Sequence, residues 1–292
     1  MHRSGTGGVM RQVAFPTADG VAMGEVEVNG VRLFYREAGD GPQTIVLSHS
    51  YLVDHRQYDA QIEALSGSYR VIAYDHRDHG RSARVEAPYD LAALVDDAEA
   101  LLDALSVSTC HFVGLSTGGF VGMRLALRAP ERFRSLTLMD TSAEPEPWWH
   151  RVKYRALLAV LGIAGIRPVL GSGMAEMFSR SFLRDPASRD EAARWRQRIA
   201  GNDPRALIRF GNAIFARDGV VEPLRRLTVP TLVIVGEHDR PCPPARARTI
   251  AAAIPAATLV TIPDAGHLST VEQPQAVNDA LRSFFRAHEL AG

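Results

Sequence analysis

The sequence predicts an α/β chain with a mainly parallel sheet wrapped by helices, interrupted by one long helical insertion. Three observations carry this. Short β-branched runs alternate with longer stretches of helical apolar spacing along most of the chain. From about Pro145 to Val221 the alternation stops, and the sequence becomes helical and rich in Arg, Ala and Leu. The 292 residues, 46% hydrophobic and 23% charged, suit one large domain, or a core with an inserted subdomain, and not a disordered chain.

The N-terminal stretch carries Arg3 and Arg11 but lacks an apolar core for a secretory signal, so residues 1–22 are expected to be a flexible tail. Val31 to Arg36 alternates and should form an antiparallel edge strand. Thr44 to Leu47, Val71 to Tyr74, His111 to Val113, Leu136 to Met139, Leu232 to Val235 and Thr258 to Ile262 read as buried strands. Leu91 to Leu105 has apolar spacings of three and four, which marks an amphipathic helix. Gly119 to Arg128 is a second helix, stopped by Pro130, and Pro274 to His288 a third, with proline in its first turn. The insertion holds Trp148, Trp149 and Trp195, all the tryptophans of the chain. Trp195 is accounted for by packing of the insertion on the core, whereas the adjacent pair Trp148 and Trp149 is expected to line a pocket beneath a lid.

Several function classes are excluded at this level. Thirty-three Lys and Arg balance thirty-three Asp and Glu, which leaves no net charge to attract nucleic acid or an anionic membrane. The most apolar run, Ala156 to Ile166, is too short for a bilayer span, which takes about 20 residues as helix. Two cysteines, Cys110 and Cys242, support neither a disulfide framework nor a four-cysteine zinc site, and a free-thiol cytoplasmic protein is expected. No phosphate-binding Walker loop follows a strand and no G-x-G-x-x-G turn occurs. His76-Arg-Asp78-His79 has the look of part of a zinc motif. Tyr74 stands where a further histidine would be needed, and a polar turn explains the run without a metal.

The chemistry concentrates at Gly114-Leu-Ser116-Thr-Gly118, between a buried strand and a helix. A serine there sits on a tight turn whose small neighbours let the backbone approach, at a helix N-terminus that favours developing negative charge. Serine alone is a poor nucleophile at neutral pH, so a base and an orienting carboxylate should follow. The strand Leu232 to Val235 runs into Gly236-Glu-His-Asp239, and Thr261 to Gly266 leads to His267 before Leu268. Both segments place polar side chains at the carboxyl edge of the sheet, where open α/β sheets bind ligands. Asp239 singly would be an ordinary turn former. Glu237 and His238 are its polar neighbours, and Asp140, at the preceding strand end, is its rival as the acid.

The order Ser116, Asp239, His267, with Asp75-His-Arg-Asp-His-Gly-Arg-Ser82, resembles the α/β-hydrolase superfamily from about Glu25 to His288. The resemblance implies a mostly parallel eight-stranded sheet, with a core at residues 23–144 and 222–292 and a helical cap at 145–221. It implies an oxyanion hole made by the backbone N–H groups of Thr117 and Tyr51, where losing one donor costs roughly 2.7–4 kcal/mol. Ser48-His-Ser50-Tyr51 departs from the family's usual His-Gly-x in having Ser50 for the glycine, which could bring Ser50 into the pocket. Ser50, Trp148, Trp149 and Leu268 are the expected substrate-pocket residues. Within the superfamily the chain is similar to capped esterases and lactonases, including the 3-oxoadipate enol-lactonase and acyl-homoserine-lactonase types. The implied activity is hydrolysis of a small carboxylic ester or lactone through a Ser-His-Asp acyl-enzyme, which needs no cofactor. Carbon–carbon bond hydrolases and perhydrolases use the same triad, and some relatives act as small-molecule receptors.

Overall fold

The computed structural model describes residues 11–16, 21–255 and 257–288. Two strands, β1 (Arg11–Pro16) and β2 (Val21–Val28), pair antiparallel, and β2 pairs in turn with β3 (Val31–Ala38). This corrects two expectations. Residues 11–16 and 21–22 belong to strands where a flexible tail was expected, and β3 is an inner strand because β2 and β1 lie outside it. Pro16 is tolerated because β1 is an edge with one unpaired side. The rest of the expected tail, residues 1–10 and 17–20, lies outside the described residues.

The remaining core follows the predicted alternation. β4 (Thr44–Ser48) leads through α1 (Asp59–Leu65) to β5 (Arg70–Tyr74), and α2 (Leu91–Ala104) precedes β6 (Cys110–Leu115). Then come α3 (Thr117–Arg128) and β7 (Phe133–Met139). Six helices follow before the sheet resumes: α4 (Trp148–Ala164), α5 (Arg167–Met177), α6 (Arg180–Arg184), α7 (Arg189–Ala200), α8 (Pro204–Phe215) and α9 (Val221–Leu224). β8 (Thr231–Gly236), α10 (Pro244–Ala253), β9 (Thr258–Ile262), α11 (Ser269–Glu272) and α12 (Pro274–Ala287) follow to the end of the described residues. The sheet order is β1-β2-β3-β5-β4-β6-β7-β8-β9, parallel from β5 to β9. β2 to β9 form the expected eight-stranded sheet, and β1 adds a ninth strand at the edge.

Both faces of the central strands are buried, as a parallel sheet requires. Val46, Ile72, Phe112 and Leu138 point to the side covered by α2, α3 and α10. Their neighbours Leu47, Val71, Val113 and Met139 point to the side covered by α1 and α12. β9 departs from the buried reading: Thr258, Leu259 and Thr261 are exposed, because this strand ends the sheet. The polar turn after β5 is structural. Asp75 accepts from His55 N and from Arg81 N, both at 2.8 Å. Asp78 accepts from Arg209 on α8 at 2.7 and 3.0 Å and so ties the inserted helices to the core.

Candidate active site

Ser116 sits between the end of β6 and the first turn of α3 with φ 53° and ψ −107°, a left-handed conformation unusual for a side-chain-bearing residue. Its neighbours permit this. A Cβ at Gly114 would lie 2.2 Å from the Gly118 carbonyl oxygen, and one at Gly118 would lie 1.9 Å from the Ser48 carbonyl oxygen. The turn is then pinned from three sides. Ser116 N donates to Met139 O at 2.8 Å, while Ser116 O accepts from Phe120 N at 3.0 Å and Thr141 Oγ1 at 2.8 Å. Gly118→Ala is therefore expected to cost on the order of 3 kcal/mol in stability, since the clash is with backbone. A thermal melt of that variant within a degree of the parent would contradict this.

His267 and Asp239 meet as the sequence suggests. His267 Nδ1 lies 2.9 and 3.0 Å from the two Asp239 carboxylate oxygens, both side chains being buried. Asp239 Oδ1 also accepts from Cys242 N at 2.9 Å, which fixes the carboxylate. Burial alone would lower the pKa of His267, but the Asp239 charge and hydrogen bond outweigh it and hold the ring above its usual 6.5. Ser116 and His267 line one cavity. Among the described residues no hydrogen bond joins Ser116 Oγ to the His267 ring; empty sites often hold this contact loosely until substrate binds.

The rival carboxylate is engaged elsewhere. Asp140 accepts from Gly236 N at 2.7 Å and from Ser269 Oγ at 2.5 Å, and it makes no hydrogen bond to His267 among the described residues. Burial, reinforced by the nearby Asp239 charge, pushes its pKa well above its usual value. Asp140 thus braces the loops that carry Asp239 and His267. Glu237 and His238 are exposed.

The loop after β4 brings Tyr51 beside this centre. His49 Nε2 accepts from His76 N at 2.9 Å, so the ring proton sits on Nδ1 and is donated to Ser50 O at 2.6 Å. Ser50 N donates to Gln57 Oε1 at 3.0 Å. These bonds shape the loop without glycine at position 50, and the positive φ falls instead on Leu52 at 70°. The backbone N–H groups of Tyr51 and Thr117 have no acceptor among the described residues. The Tyr51 ring stacks on Phe210, and its hydroxyl donates to Leu207 O at 2.8 Å on α8. His76 and His79 pack around His49 and Phe210, and burial first, then the neighbouring histidines, keeps both well below the ordinary imidazole pKa.

Of the four expected pocket residues, only Ser50 lines the cavity. Trp148 and Trp149 are 72% and 56% exposed, on the solvent side of α4. Leu268 is fully buried behind the site, with its N–H donating to Met177 O. The apolar wall comes instead from Leu157, Leu158 and Leu161 of α4 and Val169, Leu170 and Met177 of α5. The run too short to span a bilayer thus forms part of this wall. Trp195 is buried in the core cluster shared by the insertion and the sheet.

Sequence reasoning missed most of the polar residues of the cavity, among them Glu146, Glu176, Arg217 and Cys242. Glu146 accepts from Arg217 at 2.9 Å and from Arg246 at 3.4 Å, and the Arg217 guanidinium lies 3.9 Å from the Phe120 ring centroid. This cluster joins the two ends of the insertion to α10. Burial, then the Asp239 charge, push the Cys242 thiol up, so it is no rival nucleophile.

Behind His267, Glu272 accepts from Ser179 N at 3.1 Å, and burial pushes its pKa up to about 7. The folded chain keeps this proton between the usual 4.5 and about 7, where the unfolded chain has released it. Stability is therefore lost as pH rises through that window. Relative to the parent, Glu272→Gln should gain roughly 2–3 kcal/mol between pH 5 and 8, read from paired denaturant titrations. A constant difference would refute the shift.

The nucleophile-type turn on β6, with paired polar loops after β8 and β9, defines the class. Residues 43–274 match the alpha/beta hydrolase fold family, and the chain belongs to that family. It is 32% identical over 255 residues, 86% of this chain and 94% of the relative, to RutD of Caulobacter sp. (strain K31), whose name refers to carbamate hydrolysis. It is 29% identical over 260 residues, 88% of this chain and 94% of the relative, to 3-oxoadipate enol-lactonase 2 of Acinetobacter baylyi. The crystal structure of the enol-lactonase from Burkholderia xenovorans LB400 superposes with a TM-score of 0.84 at 30% identity, covering 90% of this chain and 99% of the other.

Proposed function

We propose that the chain is a serine hydrolase of small carboxylic esters or lactones. One observation carries this reading: Ser116, held in a left-handed turn at a helix N-terminus, shares a cavity with His267, whose ring is clamped by Asp239. In this reading Ser116 Oγ attacks the acyl carbonyl while His267 takes its proton and passes it to the departing oxygen. Asp239 holds Nδ1–H and stabilises the imidazolium. The free N–H groups of Tyr51 and Thr117 take the charge that develops on the carbonyl oxygen. Water, deprotonated by His267, then cleaves the acyl-enzyme and restores Ser116. The inserted helices act as a cap whose leucine-rich wall receives the apolar part of the substrate.

The enol-lactonase relatives support a carbonyl–oxygen bond as the point of cleavage. The test is acid release in a pH-stat over short and long acyl esters, γ-lactones and acyl-homoserine lactones, with amine or ammonia release from carbamates followed as a further arm. Release from esters or lactones that Ser116→Ala abolishes is the expected result. Release from carbamates alone, or from no compound, would overturn the ester and lactone reading.

A further inference from the structure

Helix α4 turns an uncovered apolar stripe to solvent. Trp148, Val152 and Ile163 are 72%, 59% and 90% exposed, and Trp149 and Val160 lie on the same side. The four-residue steps from Trp148 through Val152 and Ala156 to Val160 keep the stripe on one side of the helix. The opposite side is occupied: Leu158 and Leu161 are buried, and Tyr154 and Leu157 line the cavity. Single exposed apolar residues are ordinary, but five large ones on one helix form a patch of the kind that marks an interaction surface.

Charge indicates the occupant. By helical geometry Arg151 and Arg155 border the stripe on one flank and Lys153 on the other, and Trp148–Ala164 contains no acidic residue. Lys153 pairs with Glu176 at 2.6 Å, whereas Arg151, Arg155 and Arg167 have no ion-pair partner among the described residues. The neutrality of the whole chain hides a strong asymmetry: residues 145–221 carry thirteen Arg and Lys against seven Asp and Glu. A two-fold contact along α4 would bring together two copies of a basic helix that has no acidic residue to pair with the cations, which is repulsive. An anionic surface would meet them favourably, and tryptophan, with an apolar body and a polar N–H, suits the boundary between headgroups and acyl chains.

We propose that the outer face of α4 docks the protein on an anionic lipid surface. Trp148, Trp149, Val152 and Ile163 enter the headgroup layer, and Arg151 and Arg155 meet lipid phosphates. No helix among the described residues is long and apolar enough to cross a membrane, so α4 lies in the plane of the surface. The other side of the same helix walls the cavity, which brings the pocket next to the lipid.

The full chain should co-float with vesicles of phosphatidylcholine containing phosphatidylglycerol, and roughly tenfold less with phosphatidylcholine alone, the difference shrinking as salt is raised. Val152→Glu with Ile163→Glu, and separately Arg151→Glu with Arg155→Glu, should each weaken flotation about tenfold or more, with melting temperature unchanged. The substituted positions are exposed and outside the cavity. Absence of the parent protein from the anionic vesicles would overturn the proposal. So would flotation that survives both double substitutions, or a dimer in light scattering that Ile163→Glu dissociates, which would assign the stripe to a second copy.

Discussion

Ser116→Ala is expected to lower kcat by roughly 10⁴-fold or more on any substrate the protein turns over, with the fold intact. The effect is large because in the proposed mechanism the hydroxyl oxygen forms the covalent bond, and no neighbour can replace it. Cys242 shares the cavity, but its thiol is held protonated by burial and by the Asp239 charge. The residual rate should be that of the two backbone donors and the binding pocket acting on water. Thermal melts should match the parent, since alanine fits the same left-handed turn as well as serine does. Retention of more than about a tenth of the activity would remove Ser116 from the chemistry.

Asp239→Asn should cost about as much, close to 10⁴-fold in kcat, while Asp140→Asn should stay within about tenfold. The asymmetry follows from the hydrogen bonds. Both Asp239 oxygens face His267 Nδ1, whereas Asp140 is occupied by Gly236 N and Ser269 Oγ. An amide at position 239 would offer N–H to the ring and favour the wrong tautomer. With His267 as the proposed base, the acidic limb of kcat/KM against pH should report the free His267, which must be neutral to accept a proton. In the parent this limb should lie above 6.5, because the Asp239 carboxylate holds the imidazolium. In Asp239→Asn the limb should move down, since burial then acts without that charge. A large loss in Asp140→Asn with a mild one in Asp239→Asn would transfer the acid role to Asp140.

Local signals made much of this site legible in the sequence. Gly114 and Gly118 report a close backbone approach that only a tight turn requires, and the strand-end positions of Asp239 and His267 follow from short apolar runs. The alternation of strands and helices was equally local, and it located the central strands, α2, α3 and α12 to within a few residues. The apolar wall of the cavity was not legible for a physical reason. α4 carries apolar residues on both sides, so its sequence does not say which side meets the core. Trp148 and Trp149 turned outward, and the leucines of the apolar run took the inner place. The Glu146–Arg217–Arg246 cluster joins residues far apart in the chain, and β1 depends on pairing with β2, so neither carries a short-range signature.

The claim that Ser116 is a nucleophile activated by His267 is tested most directly by a dialkyl fluorophosphate, followed by intact mass and peptide mapping. One dialkylphosphoryl group per chain is expected, on the peptide carrying Ser116, with no labelling in Ser116→Ala and much slower labelling in His267→Ala. An unmodified chain, or a label that persists in Ser116→Ala, would contradict it.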